Sequence, residues 1–348
     1  MSTPTNSSLL PWQDESWKQL QQLRERLPHA LLFYGAQGTG KTVFVEAFAK
    51  SLLCEAPTPE AHACGACASC NWFTQYNHPD YRRVRPEVLE DEIASGDEGE
   101  GGEEKKSAKA SKTPSKEIKI DQIRALADFM NVSTHRSGLR VVMLYPAEAL
   151  NTAAANALLK TLEEPPPGTM FLLLSNRLDR LLPTILSRCR KFALSAPPKE
   201  AALAWLKEQG VKDADAWLAE QGGAPLAALE AAQGDSREVL DELLRHLAQP
   251  GVDGALRTAD KLQKAPVSDL VGWVQRWLYD LFSLKSADHI RYYPRYAKEL
   301  GRLAERADVI AISRAIKGMG ERRAIADHPL SAKLFIEEML IDYAGLFD

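Results

Sequence analysis

No run of eighteen apolar residues occurs anywhere in this 348-residue sequence. Its strongest stretch, residues 170–175, ends within a few positions, so a membrane-spanning helix is not expected. A surplus of positive charge is also missing. Lys and Arg total 43 against 47 Asp and Glu, a formal net charge of -4. A protein that grips nucleic acid unaided usually carries a basic face, so any DNA contact here is expected to run through partners. The opening residues, MSTPTNSSLLPWQDESW, hold no basic patch followed by an apolar run. No export signal is therefore expected, and the chain is placed in the cytoplasm, away from membranes. There is no internal repeat.

What is present suffices for real cores: 45% of residues are hydrophobic and 26% charged. The length fits two or three domains. Residues 30–34 form an apolar run that reads as a buried parallel strand, followed by GAQGTGKT and by VFVEAFAKSLLC, whose apolar spacing is helical. HPDYRRVRPE ends in a short strand. Residues 87–117 are acidic, then basic, and nearly bare of large apolar side chains after Ile93, which predicts a disordered insertion. The run IKIDQIRALADFMNV predicts a helix on Ile120, Ile123, Leu126, Ala127 and Met130, capped by Asp121. Two further strand–helix alternations follow: LRVVMLYP before a helix capped by Asn151, then MFLLLSN before a short helix with Pro183 in its first turn. Such alternation makes an α/β fold with a parallel sheet flanked by helices. After Lys199 the signals are helical only: a small module to about residue 236, then an all-helical region with helices near 236–248, 267–284, 292–307 and 330–347. The expected divisions are 1–195, 196–236 and 237–348.

Residues 35–42 match G-x-x-x-x-G-K-[ST] in the required setting, after a strand and opening a helix. Gly35, Gln37, Gly38, Thr39 and Gly40 would curl backbone N–H groups around phosphates, Lys41 would reach the terminal phosphates, and Thr42 would ligate magnesium. The motif therefore predicts binding of ATP or ADP. Hydrolysis needs more, an acid on a neighbouring strand end and a carboxylate to orient water. The candidate strand ends in Tyr145 and Pro146, which can do neither. Glu148 lies close by and would substitute only in a shifted register.

Five cysteines are present, and Cys54, Cys64, Cys67 and Cys70 form C-x9-C-x2-C-x2-C. Four thiolates from one short loop can surround zinc tetrahedrally and leave no position open, which predicts a structural site. Reduced, unliganded thiols are the plainer alternative. Cys189, distant in sequence, reads as a packed small residue. Arg188, after the short helix, reads as a solvated charge or ion pair, or as a guanidinium offered to a nucleotide on an adjacent subunit.

Residues 156–166 (NALLKTLEEPP), LPTILSRC at 182–189, HPD at 78–80 and the cysteine loop after GAQGTGKT together resemble the bacterial clamp-loader subunits of the AAA+ class. The resemblance spans about residues 11–235. It implies an AAA+ domain, a helical lid over 196–236 and a collar over 237–348. It implies a hetero-pentamer with tau or gamma motor subunits and a delta subunit, which uses ATP to place a sliding clamp on primer–template DNA. This assembly belongs to a DNA-directed DNA polymerase holoenzyme, a nucleotidyltransferase. Motor members carry Asp-Glu where this chain has Tyr145-Pro146, and an arginine near Leu226. Both departures imply a non-hydrolysing member that serves as stator, with a motor-like ATPase as the alternative. The resemblance turns Arg188 into a trans-acting arginine finger. It makes Asn176 a polar phosphate sensor, although a strand-end cap fits that residue equally.

Overall fold

The computed structural model describes residues 9–94, 114–135, 138–234, 236–326 and 331–347. The chain divides into two compact units, Met1–Pro197 and Pro198–Asp348. In the first unit come α1 (Asp14–Gln22), β1 (Ala30–Tyr34), α2 (Lys41–Leu53), α3 (Ala68–Thr74), β2 (Tyr81–Val84) and α4 (Glu87–Ala94). Then follow α5 (Ile120–Asn131), β3 (Arg140–Leu144), α6 (Thr152–Glu163), β4 (Thr169–Ser175), α7 (Pro183–Arg188) and β5 (Arg190–Ala193). Among the described residues the strands form one sheet in the order β2-β3-β4-β1-β5, with every pairing parallel.

Alternation along the strands builds a core on each face, because successive side chains point to opposite sides. On one face Leu31, Phe33, Met143, Leu172 and Leu174 pack with Trp17 of α1 and with Phe44 and Phe48 of α2. On the other, Leu32, Val142, Leu144, Phe171 and Leu173 pack with Ile123 and Leu126 of α5, Leu158 and Leu162 of α6, and Ile185 beside Cys189. The phosphate-loop helix and the helix bearing Arg188 therefore lie on opposite faces. Each fully buried phenylalanine or leucine contributes on the order of 2 kcal/mol.

Three local expectations are corrected. Asp121 does not cap α5. Lys119 stands at the N-cap, its N–H donates to Gln122 Oε1 at 2.9 Å, and Asp121 pairs with Arg124. The segment 87–117 is not uniformly without structure. Its first residues form α4, because the Glu90 carboxylate receives the buried Arg85 guanidinium through Nε at 2.8 Å and Nη2 at 3.0 Å. Ser115 N–H donates to Glu87 at 3.0 Å at the far end, and residues 95–113 lie outside the described ones. Finally, β5 went unforeseen because only Phe192 of its side chains is buried.

The second unit begins with α8 (Lys199–Glu208), α9 (Ala214–Glu220) and α10 (Pro225–Gln233). It continues through α11 (Arg237–Ala248), α12 (Val252–Leu262), α13 (Val267–Ala287), α14 (Ala297–Arg306), α15 (Val309–Ile325) and α16 (Ala332–Ala344). Arg237 pairs with Glu220 at 3.0 Å, and Arg276 donates to the Glu220 carbonyl at 2.9 Å, so α9 is tied to α11 and α13. Trp277 Nε1–H donates to the Tyr343 hydroxyl at 2.7 Å, which donates to the Leu247 carbonyl at 2.7 Å. These bonds satisfy two polar groups in the core and join α13, α16 and α11. Among the described residues no helix is long and apolar enough to cross a membrane.

Candidate functional site

The phosphate loop runs from the end of β1 into α2, as its motif requires. Gly38 (φ 74°) and Gly40 (φ 90°) occupy the left-handed region, which glycine enters without a Cβ penalty. At Gly35 a Cβ would stand 2.3 Å from the Leu194 carbonyl oxygen. Gly35→Ala should therefore push the loop off β5, weakening nucleotide binding at least tenfold and costing about 1–3 kcal/mol of stability. Calorimetric titration with ADP and a thermal melt would check both.

Inside the loop, the Lys41 ammonium and the Thr39 hydroxyl both donate to the Ala36 carbonyl, at 2.5 Å and 2.9 Å. Burial pushes Lys41 down to about 8, while the nearby Glu148 carboxylate works in the other direction. A brace from outside holds the loop. Trp12 Nε1–H donates to the Thr39 carbonyl at 3.0 Å, and Gln13 Nε2 donates to the Gly40 carbonyl at 2.8 Å. Gln13 in turn accepts the Leu10 N–H at 3.0 Å. Nothing in the local sequence marks this brace, which spans 27 positions. Thr42 is half-buried in the first turn of α2, and Gln37 is exposed.

The strand expected to carry the acids is β3, and it is not β1's immediate neighbour, since β4 lies between them. Tyr145 follows it, mostly buried, and its hydroxyl accepts from Arg85 Nη1 at 3.3 Å. That phenol is engaged by a guanidinium and has no capacity to hold a cation at neutral pH, since burial raises it further above its usual range. Glu148 is the acid that does stand here. Its Oε1 accepts the Asn176 N–H at 3.0 Å, and its buried Oε2 has no hydrogen-bond partner among the described residues. The structure thus joins Glu148 and Asn176, two residues picked separately from sequence, at the carboxyl end of β4.

The four cysteines converge: their Sγ atoms all lie within 4.8 Å of one another. Cys54 and Cys67 are 4.0 Å apart, Cys64 and Cys70 3.9 Å. Tetrahedral zinc with bonds of about 2.3 Å needs sulfur separations of about 3.8 Å, so the cluster fits. Backbone N–H groups of Cys64, Cys67 and Cys70 donate to Sγ of Cys54, Cys64 and Cys67. Amide donation from Ala66 and Cys67 lowers the Cys64 thiol to about 6, while burial raises Cys70. Beside the cluster, Ser69 donates to the Leu53 carbonyl at 2.5 Å and accepts from His78 Nε2 at 2.6 Å. The Asp80 N–H donates to His78 Nδ1 at 3.0 Å, and the Asp80 carboxylate accepts the His135 N–H at 2.9 Å. HPD is thus the bolt between the cysteine loop and β2. Cys189 is buried in the sheet core, away from the cluster.

Arg188 ends α7. Its Nη1 donates to the Thr184 carbonyl at 2.9 Å and the Ser187 hydroxyl at 3.3 Å, and its Nη2 to Glu163 Oε1 at 2.5 Å. Leu226 lies in the first turn of α10 and offers no charge.

A parallel sheet ordered β2-β3-β4-β1-β5, with a phosphate loop after β1 and helices on both faces, defines a P-loop α/β protein. A family model described as "DNA polymerase III, delta subunit" matches residues 12–198, and the chain belongs to that family. DNA polymerase III subunit delta' of Pseudomonas aeruginosa is 32% identical over 98% of this chain and 98% of its own length. The protein of the same name from Escherichia coli is 32% identical over 72% of this chain and 69% of its own length. A solved DNA polymerase III gamma subunit-related protein from Thermotoga maritima aligns over 95% of this chain and 99% of its own, at 19% identity and a TM-score of 0.43.

Proposed function

We propose that the chain works as a delta-prime subunit, the stator of a DNA polymerase III clamp loader. It binds nucleotide without turning it over and helps tau or gamma motor subunits and a delta subunit to load the sliding clamp on primer–template DNA. One observation carries this reading: the phosphate cradle is complete around Lys41, while the strand end that should hold magnesium presents Tyr145, already bonded to Arg85. Zinc on Cys54, Cys64, Cys67 and Cys70 is structural, since four sulfur ligands leave no open position. Arg188 serves a neighbouring subunit's ATP, residues 196–236 act as lid and 237–348 as collar.

The test has two arms. Purified chain should bind ADP and ATP yet release phosphate at least a hundredfold more slowly than a motor subunit. Brisk magnesium-dependent hydrolysis that Lys41→Ala abolishes would overturn the stator reading and leave Glu148 as the catalytic carboxylate. Mixed with a tau or gamma subunit, the chain should form a stoichiometric complex. Nucleotide affinity should also fall as pH rises through about 8. Protonated Lys41 is the form that attracts phosphate, and it is lost above that value.

A further inference from the structure

Glu163 is the last residue of α6, inside the TLEEPP string, and α7 packs beside that helix. We propose that Glu163 is a positioning residue for Arg188: it sets the direction in which the guanidinium faces a neighbouring subunit's nucleotide. The inference rests on the trans-acting reading of Arg188.

The hydrogen bonds carry the argument. A guanidinium has five N–H donors in a fixed fork. Among the described residues three of them are used, by Thr184, Ser187 and Glu163, which leaves two, the number a bidentate phosphate contact takes. Thr184 and Ser187 belong to Arg188's own short helix. Glu163 is the one anchor of the three from another element, and it stops the long side chain from swinging about α7. The pair is exposed, with side-chain accessibilities of 33% and 50%. Exposed ion pairs add little to stability. What this one does is restrict a side chain with large rotamer freedom before its target arrives, and such preorganisation acts on function.

The experiment uses the complex reconstituted with motor subunits, comparing wild type, Glu163→Ala, Glu163→Gln, Arg188→Ala and the double variant Glu163→Ala/Arg188→Ala. Glu163→Ala should remove roughly half or more of the ATP turnover that Arg188→Ala removes, in kcat and not in KM. Glu163→Gln, which keeps the acceptor Oε1, should recover most of it. In the Arg188→Ala background Glu163→Ala should cost nothing further. Wild-type turnover by Glu163→Ala beside an impaired Arg188→Ala would overturn this inference alone, as would an additional loss in the double variant. Wild-type turnover by Arg188→Ala would overturn the reading of Arg188 and this inference with it. The near-isosteric Gln variant and melting curves for each protein separate a folding defect from a positioning one.

Discussion

Stripping zinc from the cysteine loop should lower the melting temperature of the amino-terminal unit by roughly 6–20 °C, and Cys70→Ser should do the same. Residues 55–69 supply few apolar anchors, so the loop's shape depends on cross-linking four sulfurs. The damage would not stay local. Cys70 lies on α3, which also holds Ser69 against His78 and packs Phe73 on Tyr81 with ring centroids 4.4 Å apart. Loosening α3 therefore loosens β2, the edge strand. Structural zinc contributes on the order of 10 kcal/mol to peptides that have no other core. This unit has two large apolar cores, so a loss of about 3–5 kcal/mol is expected, and each kcal/mol shifts the midpoint by roughly 2–4 °C in a unit of this size. Calorimetry with a chelator, zinc add-back and metal analysis for one zinc atom per chain would decide it. An unchanged midpoint in metal-free protein would leave the cysteines as plain thiols.

Arg188→Ala should silence the ATP site of whichever motor subunit abuts this chain, while the chain folds and assembles as before. An arginine finger offsets charge on the transferring phosphoryl group, and its removal costs on the order of 10³-fold or more at the site it serves. Arg188 contributes one exposed ion pair to this chain, so its loss should change stability by less than about 1 kcal/mol. Turnover of the reconstituted complex should therefore fall by at least one site's share, with no change in melting temperature or stoichiometry. Full activity would return Arg188 to the role of a surface charge paired with Glu163.

The parts legible in the sequence were those written in local pattern. The glycine loop, the cysteine spacing, the Asn151 cap and the strand runs at β1, β3 and β4 each announce themselves within a dozen residues. Asn151 does accept the Ala154 N–H at 2.9 Å. What escaped depends on distant partners or on weak local signals. Trp12 and Gln13 meet the loop carbonyls only once α1 has packed, and Glu163 meets Arg188 across 25 positions. Helix α4 reads as too charged to order, yet one of those charges, Glu90, is what orders it. Helices α12 and α15 were not foreseen either. Gly254 in the first turn weakens the helical signal of α12, and two interior glycines, Gly318 and Gly320, dilute that of α15, which buries little besides Ile312 and Met319. The Asp121 expectation failed because a Gln side chain can satisfy the first backbone donor as well as an acid.

The indole of Trp12 hangs from the Thr39 carbonyl, on the outer wall of the turn that would wrap a phosphate. Any rearrangement there alters the polarity around that ring. Its ultraviolet emission then becomes an intrinsic gauge of ligand arrival, isolated from the other tryptophans by subtracting the spectrum of Trp12→Phe, with no label attached.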